Sequence, residues 1–215
     1  MKVVILPLIG VCLLSTRLAF SQSPATIPLD VAVADSLDQL PLKSLLPAIN
    51  YWGPDRGIMP KDKGIIYGSC VQRLGFSSGG FGQYVRLYNL TSGKAMRLEV
   101  KPAFKSAKQN LFCVALPPGR YALHLYEYTE SKWYGGEMQV ENIRKTDSTA
   151  VRAVNTAATR YVFTIVPGEL HYLGTWHLDK AGQPYFSDDK ITTDEHLRRT
   201  YKKLDLDKAQ LVVPR

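Results

Sequence analysis

From Gly64 onward the chain alternates short apolar runs rich in Val, Ile, Tyr and Phe with breaks of Gly, Pro, Asn and Ser. Runs of that length bounded by turn residues are the signature of strands. The pattern predicts strands at Gly64 to Leu74, Gln83 to Leu90, Lys94 to Lys101, Asn110 to Leu116, Arg120 to Tyr128, Gly136 to Val140, Arg160 to Val166 and Glu169 to Leu178. Alternation is clearest in Tyr84 to Tyr88, where Val85 and Leu87 share one face, and in Phe112, Val114 and Leu116. Many short strands spaced by about ten residues predict a mainly β fold, an antiparallel β-sandwich.

Turn chemistry supports this reading. Asn89-Leu90-Thr91-Ser92-Gly93 suits a tight reversal between the second and third strands. Two related units, LPPGRYALHLYEY at Leu116 to Tyr128 and VPGELHYLGTWHL at Val166 to Leu178, each set a Pro-Gly pair before an aromatic-rich strand. Proline fixes φ for the first central position of a type II turn and glycine supplies the second, so turn formation explains the repeat without a ligand. Parity then places Tyr121, Leu123 and Leu125 on one face. One stretch departs from the β pattern. Thr192 to Leu204 has Thr192 and Glu195 in capping-box spacing and Leu197, Tyr201 and Leu204 on one stripe, which predicts a C-terminal amphipathic helix. Arg198, Arg199, Lys202 and Lys203 form its solvated face. Gln210 to Val213 can return as an edge strand.

The N-terminal third reads differently. Lys2, an apolar Val3 to Leu14 and then Ala19-Phe20-Ser21 predict a signal peptide over 1–21, with a mature chain from Gln22. The apolar stretch is shorter than the roughly 20 residues a spanning helix needs. Cys12 invites lipidation, but Val11 stands where a lipoprotein signal places a small residue. Residues 22–63 carry Pro24, Pro28, Pro41, Pro47, Pro54 and Pro60 and are expected to form an ordered arm rather than a regular sheet. The domain proper is expected to span 64–215.

Charge adds a class of partner. The 215 residues carry 27 Lys and Arg against 19 Asp and Glu; without Lys2 and Arg17 the balance is 25 against 19, or +6. On an exported basic protein this charge serves first to keep it in solution, and its expected partners are lipid headgroups, acidic glycans or acidic proteins rather than nucleic acid. Membrane-surface contact is open, whereas no transmembrane helix is expected.

GSCVQRLG, then YVRLYNLTSGKAMRLEV and LFCVALPPGRYALHLY, resemble the prealbumin-like sandwich of carboxypeptidase regulatory domains. PGELHYLG makes the chain similar to bacterial envelope domains of unknown function as well. The resemblance covers Gly64 to Leu178, falters between Thr129 and Thr159, and implies a fold and no catalytic residue.

Candidate chemistry is sparse. Gly75-Phe76-Ser77-Ser78-Gly79 matches G-x-S-x-G, yet no helix follows Ser77, as a nucleophile elbow requires. His124, His171, His177 and His196 show no metal-ligand spacing, and neither a metal nor a cofactor is expected. Tyr126, Tyr128, Trp133 and Tyr134 are candidate ligand-binding rings, with Trp133 and Tyr134 in a polar hairpin suited to a glycan, a peptide or an envelope protein. The alternative is that these rings pack at the sandwich rim. Cys70 and Cys113 are expected to form a disulfide after export, the alternative being two buried free thiols. The function these features imply is an exported, non-enzymatic envelope binding or assembly module. A structural component held by a partner and a hydrolase are the competing readings.

Overall fold

Strand β2, Gly64–Val71, is buried at all eight positions and forms the centre of one of two sheets. The computed structural model describes residues 43–44, 59–73, 80–132, 135–145, 160–182 and 184–215. The predicted signal peptide, nearly all of the proline-rich arm and most of the 142–159 segment therefore lie outside the described residues.

Sheet A runs β1 (Lys43–Ser44), β4 (Lys94–Lys101), β3 (Gln83–Asn89), β6 (Gly119–Lys132) and β7 (Gly135–Asn142), with β8 (Val162–Ile165) also on β6. Sheet B runs β10 (Tyr185–Ser187), β9 (Leu170–His177), β2 and β5 (Gln109–Leu116), with β11 (Gln210–Leu211) also on β9. The chain is thus the expected mainly β sandwich with one C-terminal helix, α1 (Lys190–Thr200). Most pairings are antiparallel, but β2 with β9, β1 with β4 and β11 with β9 are parallel.

Two apolar cores result. Between the sheets lie Ile66, Cys70, Val85, Leu87, Leu98, Phe112, Leu123, Tyr126 and Trp176 among others. On the far side of sheet B, Ile65, Tyr67, Cys113 and Tyr172 pack against Leu197, Leu204 and Leu206. Polar pins hold α1 there. Tyr67 Oη donates to Asp194 Oδ1 at 2.8 Å, Lys190 Nζ donates to Asp194 and to the Leu206 carbonyl, and the Asp189 N–H donates to Tyr172 Oη at 2.9 Å.

Bulges in β6 and β9 shift which side chains of those strands face the core. In β6 the register slips between Leu123 and Leu125, so Tyr121 and Leu123 face inward before it and Tyr126 and Tyr128 after it. The simple parity expected for Tyr121, Leu123 and Leu125 breaks there. In β9 the slip falls between Tyr172 and Thr175 at Gly174, whose φ of 81° suits glycine. The Gly174 carbonyl would lie 2.4 Å from a Cβ on Gly68, so neither position admits a side chain.

The two Pro-Gly units differ. Gly168, at φ 73°, makes the expected turn, whereas Gly119, at φ 141°, already begins β6 and lies against Asn89 and Thr91. The aromatic after it plugs the core edge as expected: Tyr121 is fully buried, donates to the Pro117 carbonyl at 2.7 Å and stacks on Phe163. The helix also departs from expectation. It starts after Asp189 rather than at Thr192 and ends at Thr200, without the Thr192–Glu195 capping box. The chain unwinds after Tyr201 so that both Leu204 and Leu206 reach the second core, which one continuous helix stripe would not allow.

The expected Cys70–Cys113 bridge is absent. Cys70 pairs across from Asn110 and Cys113 from Tyr67, three rungs or roughly 10 Å apart along the strands. They also face opposite sides of sheet B, Cys70 into the inter-sheet core and Cys113 toward α1. Both are free and buried, and burial pushes the Cys113 thiol up to about 12. A bridge closing this segment would contribute about 4 kcal/mol. We therefore expect the melting temperature to be unchanged by reductant and both thiols to alkylate in non-reducing denaturant; a reductant-dependent drop would contradict the register.

Candidate functional site

The sequence candidates Tyr126 and Tyr128 converge at the rim where β2 leaves sheet B. Both rings are buried, at 2% and 6% exposure, and stack with centroids 5.3 Å apart. The bulge in β6 turns them inward, and Arg73, just past β2, reaches over them. Its guanidinium lies 4.6 Å from the Tyr128 ring centroid, donates to Tyr128 Oη at 2.7 Å and makes a two-pronged bond to the Glu141 carboxylate. Tyr128 Oη donates to Glu141 at 2.8 Å. Tyr126 Oη accepts the Arg73 N–H at 3.2 Å and donates to Gln83 Oε1, while Gln83 Nε2 donates to the Arg73 carbonyl at 2.7 Å. Every hydroxyl here is already paired, so the two rings and Arg73 form a packed polar knot.

Burial pushes both tyrosine hydroxyls up, and neither is poised to give up a proton near neutrality. For Glu141, burial acts upward, but the Arg73 guanidinium and the Tyr128 hydroxyl outweigh it and hold the carboxyl below its ordinary value. Trp133, Tyr134 and Ser77 lie outside the described residues.

His171 and His177 are separately engaged. His171 is buried; its Nε2 accepts the Val166 N–H at 3.2 Å, while Nδ1 faces the Ile65 carbonyl at 3.4 Å. His177, stacked on Tyr185, bonds Ser187 Oγ at 2.9 Å, and Ser187 donates to Asp189 at 2.9 Å. This trio has the residue types of a hydrolytic triad in the wrong order. The serine proton is committed to the aspartate, so Ser187 accepts from His177 and the imidazole cannot serve it as base. No group of three or more His, Cys, Asp and Glu among the described residues could hold a metal.

The outer face of sheet A is organised differently. Along one rung Glu99, Tyr84, Glu127 and Val140 sit side by side across β4, β3, β6 and β7. Glu127, 2% exposed, is clamped by Arg86 and by Arg97, whose Nε donates at 2.8 Å. The Arg97 guanidinium lies 3.6 Å from the Tyr84 ring centroid. Around this clamp Phe81, Met138 and Val140 are 42%, 61% and 48% exposed. Phe81, Tyr84, Arg97 and Met138 border a shallow hollow of about 190 Å³, below the size that encloses a small-molecule ligand.

No family model matches the chain. No curated protein is similar to it either. Among solved structures it is similar to a leucine-rich repeat protein from Bacteroides thetaiotaomicron VPI-5482, with 14% identity and a TM-score of 0.32. That alignment covers 68% of this chain and 17% of the other, and at such a score the likeness carries no argument.

The sequence signal for the open face was ambiguous. Met138 and Val140 alternate as an inward-facing pair would, and only the register of β7 on β6 turns them outward. Arg73 gave no signal, because its partner Glu141 is 68 residues away.

The Arg73–Glu141 pair has a pH signature. A carboxyl whose folded pKa lies below its unfolded value, about 4.3, contributes stability above that value and loses it as pH falls through the folded pKa. Glu141→Gln is expected to cost about 1–2 kcal/mol at pH 7 and to shrink the stability loss between pH 5 and pH 3, measured by urea unfolding. An unchanged acid-side slope would show that the pair does not form.

Proposed function

We propose that the chain is an exported, non-enzymatic binding or assembly module of the cell envelope that engages a protein partner through the open face of sheet A. One observation carries the proposal: the outer face of sheet B lies under α1, whereas the outer face of sheet A presents Phe81, Met138 and Val140 around the clamped Glu127. Neighbouring exposed apolar side chains rimmed by charge are what interaction surfaces offer. The residue types agree, since Met, aromatic residues and Arg are enriched at protein interfaces. The rigid Arg86–Glu127–Arg97 clamp lowers the entropic cost of docking by fixing both guanidiniums beforehand. The leader-like N-terminus supports export, and the prealbumin-like resemblance supports a binding scaffold rather than a catalytic one. No helix among the described residues is long and apolar enough to cross a membrane.

A photocrosslinking residue at Val140 is expected to capture a discrete envelope protein in the native host, and the same residue at exposed Ser92 to capture none. Met138→Glu should abolish the Val140 adduct while changing stability by less than about 0.5 kcal/mol, because Met138 is already 61% exposed. Equal adducts from positions 92 and 140, or an adduct indifferent to Met138→Glu, would refute the reading.

A further inference from the structure

The loop from β4 to β5, Pro102 to Lys108, contains no acid and carries Lys105 and Lys108, both exposed. At its turn sits Phe104, 88% exposed, more than any other large apolar side chain among the described residues. Its φ is 61°, the left-handed region, and no other non-glycine residue described has a positive φ. A bulky side chain is disfavoured in that conformation, and glycine or asparagine would fit it better. Folding alone therefore selects against phenylalanine here, twice: it strains the backbone and leaves a ring in water.

The loop is nonetheless held in shape. Gln72, fully buried, and Asn110, 6% exposed, bond each other at 2.7 Å, and both donate to the Ala107 carbonyl. The Gln72 N–H donates to the Lys108 carbonyl at 3.1 Å, and the Lys105 N–H closes the turn onto the Pro102 carbonyl. Buried amide side chains thus fix the base while the tip projects a single ring. Strain maintained at a pre-organised, solvent-facing position is a feature of binding segments.

We propose that this loop is an interfacial membrane anchor, with Phe104 entering the headgroup–acyl boundary of an anionic bilayer and Lys105 and Lys108 lying on its phosphates. A lone projecting ring flanked by flexible cations suits a fluid interface, which takes up an apolar tip without a matching cavity and keeps ammonium groups at the headgroups. Cations near an anionic surface add an attraction that salt weakens. The loop lies apart from the Met138–Val140 surface in function: either can fail without the other.

The test is sedimentation of the purified exported chain with vesicles of phosphatidylcholine containing phosphatidylglycerol, against vesicles of phosphatidylcholine alone. Binding is expected to the anionic vesicles, to weaken at high salt and to be slight for the neutral ones. Phe104→Gly should lower the partition coefficient about tenfold, and Lys105→Gln and Lys108→Gln about fivefold each. Phe104→Gly also relieves the left-handed strain, so its melting temperature should equal or exceed that of the parent chain, which separates lost binding from lost folding. Met138→Glu should leave vesicle binding unchanged. Absence of binding to anionic vesicles, equal binding to both vesicle types, or full binding by Phe104→Gly would each overturn the anchor, the last showing electrostatic adsorption without insertion.

Discussion

Everything in this molecule follows from a strand that must be dry on both faces. GIIYGSCV offers β2 no polar face, with Ile66 and Cys70 pointing one way and Ile65 and Tyr67 the other. Central strands flanked on both sides read as continuous apolar runs. Sheet A covers one side. The other is covered by α1 and the segment after it, through Leu197, Leu204 and Leu206. Three buried leucines contribute about 5–9 kcal/mol before entropy is counted, an upper estimate comparable to the whole margin of a typical domain. The C-terminal segment is thus a structural wall of the sandwich rather than an appendage. Polar atoms on that side are also matched. Ser69 and Thr175 hydroxyls meet at 2.8 Å, and the Tyr67 hydroxyl finds Asp194.

Among the described residues no element covers the outer face of sheet A, and the bulge in β6 determines what that face carries. In β6 the inserted residue moves Tyr126 and Tyr128 into the core and Glu127 to the outside, where Arg86 and Arg97 close on it. A regular β6 would have left both tyrosine rings outside and the glutamate inside without cations. The bulge therefore sets both the polar knot around Arg73 and the clamp around Glu127, though the two lie on opposite faces of one sheet.

The strands were legible because alternation and turn chemistry agree in most of them; β4, Lys94–Lys101, matches its expected span end to end. Face assignments were less legible, because one inserted residue inverts every side chain beyond it and nothing in LHLYEY marks where the slip falls. The disulfide expectation failed for the same reason, since the compartment argument carries no information on register. β10, Tyr185–Ser187, was missed because three residues on an edge leave no periodic trace. Of the candidate site, Tyr126 and Tyr128 were named as rings for a ligand or as rings packed at the sandwich rim, and both are buried. Arg73, Glu127 and Phe104 carry the chemistry the sequence left unmarked, the first two through partners distant in sequence and the third through a backbone angle.

The two-sided burial of β2 is tested most directly by native-state hydrogen exchange read by mass spectrometry. The account predicts that amides of 65–71 exchange only through global unfolding, with an opening free energy equal to that from urea denaturation, and that Leu197→Ala lowers both together. The amides of the outer edge strand β7, Gly135–Asn142, should exchange by cheaper local opening. If β2 exchanges as readily as β7, or if Leu197→Ala leaves its protection untouched, the helix does not wall the sandwich and the account fails.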